Sequence, residues 1–187
     1  MGQYYTVGLK FKNKTKYLNR QVEGCDFHIG AKLMEHSWFK NPFCLAVSES
    51  IYRRPSRIMW CGDYYEPEDF DEFPAKTKKE LLRVAKRLNE EGCTSIKKVD
   101  FDLKDKFLVN HDKKIYIDLN EYFKQNVKDG WCIFPLSLLT AVGNGRGGGD
   151  YRGIGFEDCG SWLWDLVSIE SEVPEKYEKT NYDFFEE

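Results

Sequence analysis

An α+β fold in a single domain spanning 1–187, with a mainly antiparallel sheet and two or three helices, is what the sequence predicts. Three observations lead there. Strand-like alternation recurs more often than helical spacing, no regular strand–helix–strand order appears, and no repeat or linker divides the chain. With 187 residues and 41% hydrophobic composition there is material for one ordinary core.

Tyr5, Val7, Leu9 and Phe11 fall on one face and Thr6, Gly8, Lys10 and Lys12 on the other, which predicts a half-buried strand ending in Lys12-Asn13-Lys14-Thr15-Lys16. Asn41-Pro42 opens a helix, with Asn as cap and Pro at the first helical position. Phe43, Val47 and Ile51 keep its spacing, and Pro55 ends it near Arg53-Arg54. Residues 57–61 read as a buried strand and 62–72 as an acidic loop. Thr77-x-x-Glu80 has the form of a capping box, followed by one apolar stripe of Leu81, Val84, Ala85 and Leu88, with Gly92 as a left-handed terminator. Val99, Phe101 and Leu103 alternate strictly. Phe107-Leu108-Val109 and Ile115-Tyr116-Ile117 flank Asn110-His111-Asp112-Lys113 as a hairpin. Residues 162–169 read as a late strand, and 171–187 as an acidic, mobile tail.

Charge is near balance, 28 basic residues against 31 acidic, which argues against a general polyanion binder and so against direct nucleic-acid binding. The basic segment 10–20 lacks interleaved aromatics beyond Tyr17. No apolar run approaches the roughly 18 residues of a membrane helix, and the start is too polar for a secretory signal, so a cytoplasmic protein without membrane association is expected. Met1-Gly2-Gln3-Tyr4-Tyr5-Thr6 fits a loose myristoylation pattern but leads directly into the first strand. The six cysteines form no CxxC pair, and Cys44 and Cys132 lie among apolar neighbours, as reduced core thiols do. The three histidines, His28, His36 and His111, have no metal-ligand spacing, so neither a metal nor a cofactor is expected.

Between 143 and 155, seven of thirteen residues are glycine. Gly143, Gly145 and Gly148 formally spell GxGxxG, but no helix can start at Asp150-Tyr151-Arg152-Gly153, and the lysine of a P-loop is missing. Three readings of the block stand, one of them a loop that orders on a protein partner. Backbone amides of Gly145, Gly147 and Gly148, with Arg146 and Arg152, could converge on phosphate or carboxylate, while Tyr151 stacks on a base. Alternatively the block is a turned loop in which Asp150 and the arginines pair with each other. Elsewhere, Glu35-His36-Ser37 suggests acid–base chemistry, although adjacent residues of an extended segment point apart. Trp60-Cys61-Gly62-Asp63-Tyr64 ends a strand in a carboxylate and an aromatic, a turn signal as much as a site signal. Asp165, among Trp162, Leu163, Trp164 and Leu166, either faces water or is held by a partner such as an arginine. The acidic run 63–72 and the tail could imitate a nucleic-acid backbone.

Lys32-Leu33-Met34-Glu35-His36-Ser37-Trp38, Trp60-Cys61-Gly62-Asp63-Tyr64 and Gly143-Asn144-Gly145-Arg146-Gly147-Gly148-Gly149-Asp150-Tyr151, with Gly160-Ser161-Trp162, resemble small proteins of bacteriophages and mobile elements. The resemblance runs from about 32 to 170, and the glycine block is its most specific part. That family carries no assigned activity, so no catalytic residue transfers. The resemblance implies an accessory protein of a phage or prophage, acting in the bacterial cytoplasm by binding, often against host defence.

The resulting expectation is a non-enzymatic binding protein for a small anionic nucleotide or a host protein. Its site would combine Gly145, Arg146, Gly147, Gly148, Asp150, Tyr151 and Arg152 with Trp60, Tyr64 and Trp162. An enzyme alternative, a hydrolase or transferase of nucleotides or phosphorylated substrates, would use His36 with Glu35 or Asp63. A third is an acidic-surface inhibitor of a nucleic-acid-binding host protein. Homo-oligomer formation is left open.

Overall fold

Alternation along two neighbouring strands places the core. The computed structural model describes residues 1–12, 14–25, 32–90, 92–128 and 130–184. In it β1 (Tyr5–Phe11) pairs antiparallel with both β2 (Lys14–Glu23) and β3 (Ser56–Gly62), with Val7 opposite Leu18 on one side and Trp60 on the other. Successive side chains of β3 enter opposite faces: Ile58 and Trp60 join one apolar cluster, Met59 and Cys61 a second.

The sheet runs β4 (Thr94–Lys97), β2, β1, β3, β8 (Leu166–Glu170), β5 (Phe107–Asn110), β6 (Ile115–Asp118), β9 (Glu178–Lys179), with β7 (Ala141–Val142) beside β3. Pairs involving β4, β7 and β9 are parallel and the other five are antiparallel, so the sheet is mixed with an antiparallel majority. The fold is α+β, with five α-helices among the described residues rather than two or three. They are α1 (Leu33–His36), α2 (Pro42–Ser50), α3 (Ala75–Glu90), α4 (Leu119–Asn126) and α5 (Pro135–Leu139).

On one face α3 presents Leu81, Val84, Ala85 and Leu88 to Met59 and Cys61. The larger cluster on the other face joins β1 to Phe43 and Val47 of α2, Leu119 and Tyr122 of α4, and Leu136 of α5. Among the described residues no helix is long and apolar enough to cross a membrane.

Several elements match their sequence signals. Asn41 Oδ1 accepts from the amides of Phe43 (2.8 Å) and Cys44 (3.4 Å), capping α2 as expected. The hairpin of β5 and β6 forms around 111–114, and Gly92 has φ +82°. All six cysteines are free.

Others differ. β1 is covered on both faces, because Gly8 lies directly under α3; a Cβ there would come within 2.9 Å of Val84 Cγ1. α3 begins at Ala75, its first closing bond running from Lys78 N to Pro74 O (2.9 Å), so Thr77 is inside the first turn. Glu80 pairs with Lys10 instead of closing a capping box. Val99, Phe101 and Leu103 form no strand. The β2 edge is taken by Thr94–Lys97, and the alternating apolar residues pin a loop, with Leu103 buried and Phe101 against Tyr52 at 5.4 Å. The late strand starts at Leu166, after tight turns that place Trp164 at φ +63°.

The tail from 171 to 184 is packed against the domain, not free of it. β9 pairs with β6, Trp162 Nε1 donates to Tyr182 Oη (2.9 Å), and Phe184 is fully buried with its amide on Asn126 Oδ1 (3.1 Å). Aromatic burial outweighs the self-repulsion of the tail's acids. Phe184→Ala should therefore lower stability by about 3–5 kcal/mol, read from urea-unfolding midpoints. An unchanged midpoint would show that the tail does not pack.

Candidate functional site

The backbone amides of the glycine-rich loop do converge on an anion, and the anion is the loop's own. Asp150 is 6% exposed. Its Oδ2 accepts from Gly145 N (2.9 Å) and Gly147 N (2.7 Å), and its Oδ1 from Tyr5 Oη (2.9 Å). Burial first, and then the charge of Asp150, push the Tyr5 hydroxyl far above its ordinary value, so it remains a donor.

The segment before β1 closes the other side of the loop. Gln3 N donates to Gly148 O (3.0 Å), Gly148 N to Met1 O (3.0 Å), and Gln3 Nε2 to Gly143 O (2.9 Å). From α1, Met34 N donates to Gly149 O (2.9 Å). Glycine is required at 147, where a Cβ would fall 2.4 Å from Gln3 Cβ, and at 149, where φ is +85° and a Cβ would meet Lys32 Cδ at 2.5 Å.

The charged and aromatic residues named for ligand capture have other partners. Arg146 makes a two-pronged bond to Asp69 (2.6 and 2.5 Å), with Tyr64 O at 3.3 Å and Glu66 at 3.4 Å. Thus its ion-pair partner lies in the acidic loop, not at Asp150. Arg152 is exposed and, among the described residues, reaches Gly145 O at 3.5 Å. Trp60, Tyr151 and Trp162 are fully buried core rings. Trp60 packs edge-on to Phe43 and Tyr151 to Phe184, while Trp162 meets Tyr182. None of the three presents a face to a nucleobase. Tyr64 is half-buried, and Gly148 is exposed at the outer turn.

The structure does not assemble His36, Glu35 and Asp63. His36 Nδ1 accepts from Lys32 N (3.1 Å), Glu35 pairs with Lys32 (2.7 Å), and Asp63 accepts from Tyr4 N (3.0 Å). His28 lies outside the described residues. His111 has a different role from a hairpin-turn residue alone. Ser168 donates to Glu170 (2.6 Å), so its Oγ accepts from His111 Nε2 (2.7 Å), while Tyr177 donates to Nδ1 (3.2 Å). This chain fastens the tail to β5 and β8. Asp165 is held by Asn110 Nδ2 (2.8 Å) and Lys113 (3.2 Å), a lysine where an arginine was one expectation. Among the described residues no group of three or more His, Cys, Asp or Glu is placed to hold a metal ion.

A cleft of about 550 Å³ opens beside the closed loop, and sequence reasoning missed it. Asp69, Glu72, Glu157 and Asp165 line it, with Phe73 and Phe156 as apolar walls and Lys113 as the single basic residue among the described residues of the lining. Burial, then the neighbouring Glu157, raises the Asp158 carboxyl at its edge. Cys159 in its wall is an inert thiol, pushed up to about 12 chiefly by burial. The one available signal was Glu157-Asp158 directly after the glycine block.

Two outcomes follow. Asp150→Ala strands Gly147 N and Tyr5 Oη in the interior and should destabilise by about 3 kcal/mol or more, measured by urea unfolding; a loss within about 0.5 kcal/mol would contradict the internal anchor. Burial lowers both His36 and His111, so the unfolded chain takes their protons first. Stability should therefore fall as pH drops below the ordinary histidine value of about 6.5, and His111→Gln should flatten that slope. Stability rising on acidification would reverse the sign.

No protein-family model, curated protein or solved structure matches this chain.

Proposed function

We propose that this chain is a non-enzymatic binding protein whose partner is another protein, engaged through the acidic cleft beside the glycine-rich loop. The observation that carries this reading is the sign of the charge there. Four carboxylates line the cleft; Asp69 is paired with Arg146 and Asp165 with Lys113, and among the described residues Glu72 and Glu157 have no ion-pair partner, which leaves the cleft negative. An anionic nucleotide would enter against that field, with the amides of Gly145 and Gly147 already bonded to Asp150. A segment bearing lysine or arginine would meet complementary charge, and its apolar side chains would rest on Phe73 and Phe156.

The acidic stretch 63–72, six acids without a basic residue, extends the same field beyond the cleft. The phage-accessory and counter-defence context rests on the resemblance alone. Within it the partner is a host protein of the bacterial cytoplasm. An inhibitor that offers carboxylates to a nucleic-acid-binding surface is the form of the reading this face suits. The placement of His36, Glu35 and Asp63 lends nothing to turnover, and the reading needs no cofactor.

A labelled peptide alternating lysine or arginine with leucine and phenylalanine tests it by fluorescence anisotropy. Binding should weaken steeply between about 0.05 and 0.5 M salt, and the double substitution Glu72→Lys with Glu157→Lys should abolish it. ATP should not compete. Affinity indifferent to the charge reversal, or displacement of the peptide by ATP, would sink the reading.

A further inference from the structure

A second hollow, lined by none of the cleft's residues, has the opposite character. It encloses about 440 Å³, within the usual range for small-molecule sites, and is bounded by the 102–105 loop, the start and middle of α4, and the turn before α2. Its floor is apolar: Phe39, Leu103 and Leu119 are buried, and Phe123 is half-buried. The rings of Phe39 and Phe123 lie 5.1 Å apart at 50°, and Phe134 fixes Phe39 edge-on at 5.8 Å. A tilted aromatic pair braced from behind is a preformed seat for a flat apolar group.

Charge on the rim comes from three separate segments. Lys40, Lys104 and Lys124 all border the hollow, and among the described residues none of their ammonium groups has an ion-pair or hydrogen-bond partner. The two acids of the rim are turned to local structure. Asp102 Oδ1 accepts from Lys104 N (2.9 Å) and Asp105 Oδ1 from Asn120 Nδ2 (2.9 Å). The hollow thus offers an aromatic floor under a rim of three uncommitted cations and two acids, a net positive charge.

We propose that this hollow is a binding site for a small anion with an aromatic body, such as an aryl phosphate, sulfonate or carboxylate. The ring lies on Phe39 and Phe123, and the anionic group is met by Lys40, Lys104 and Lys124. Neither half suffices alone. Inorganic phosphate has no use for the floor, and solvent-exposed lysines hold a bare anion weakly. A neutral aryl group gains only the floor's apolar area. The site is independent of the acidic cleft, and the two readings stand or fall separately.

Titration of 1-naphthyl phosphate into isotope-labelled full-length protein, followed by amide chemical shifts, tests the proposal. Shifts should concentrate at Phe39, Lys40, 103–105 and Phe123, with inorganic phosphate and 2-naphthalenemethanol each binding at least about tenfold more weakly. Lys40→Glu with Lys104→Glu, both on exposed side chains, should weaken binding about tenfold or more while leaving the remaining spectrum in place. Phe123→Ala should weaken both aryl probes together. Shifts centred elsewhere, affinity unchanged by the charge reversal, or no saturation by about 1 mM would each overturn it.

Discussion

The carboxylate of Asp150 is the contact on which the rest of this architecture depends. It is nearly buried and charged, so it must be met by donors, and three are supplied from two distant parts of the chain. Two are amides of its own loop, which turns toward it through positive φ at Gly145 and Gly149 and a close approach of Gly147 to Gln3. The third is Tyr5, at the head of β1, which is paired on both sides within the sheet. Through that one group the glycine block is joined to β1, while bonds of Gln3 and Gly148 tie on the leading segment 1–4 and Met34 ties on α1.

Closing the loop from within decides what the surface can do. Amides that already hold a carboxylate do not hold a phosphate, and Arg146, bonded twice to Asp69, closes the acidic loop over the glycine block. What is left outward on that side is negative. On the α4 side, three lysines with no ion-pair partner among the described residues outnumber two acids around the aromatic rings, and the sign reverses. A chain of net charge −3 therefore carries two hollows of opposite sign, a separation that a near-neutral total conceals.

Legibility followed the range of the interactions. The cap of α2 was readable because Asn41 bonds residues two and three places on. The stripe of α3 was readable because sixteen residues give the period room to repeat. α5 escaped because all five of its residues are buried, leaving no polar face to mark a period, and α4 because eight residues contain barely two turns. The Val99–Leu103 alternation misled because a strand also needs a free edge, and β4 had taken it.

The site shows the same limit. Convergent amides at Gly145 and Gly147 could be read from glycine spacing, but their occupant depends on Tyr5, 145 residues away in the chain. The cleft joins 69–73 to 156–165, and the hollow joins 39–40 to 102–105 and 119–124, so neither could be seen along a line. Trp60, Tyr151 and Trp162 read as ligand-facing in the sequence because aromatic residues serve cores and sites alike, and only burial separates the two uses.

The most direct measurement of the central claim is amide hydrogen exchange at Gly145 and Gly147. With Asp150 filling the loop, both amides should be protected at least about a thousandfold, like those of β1, and should not respond to added phosphate or ATP. Exchange at the rate of an open loop, with both amides shifting on addition of phosphate, would show that the anion site is vacant and would return the glycine block to ligand binding.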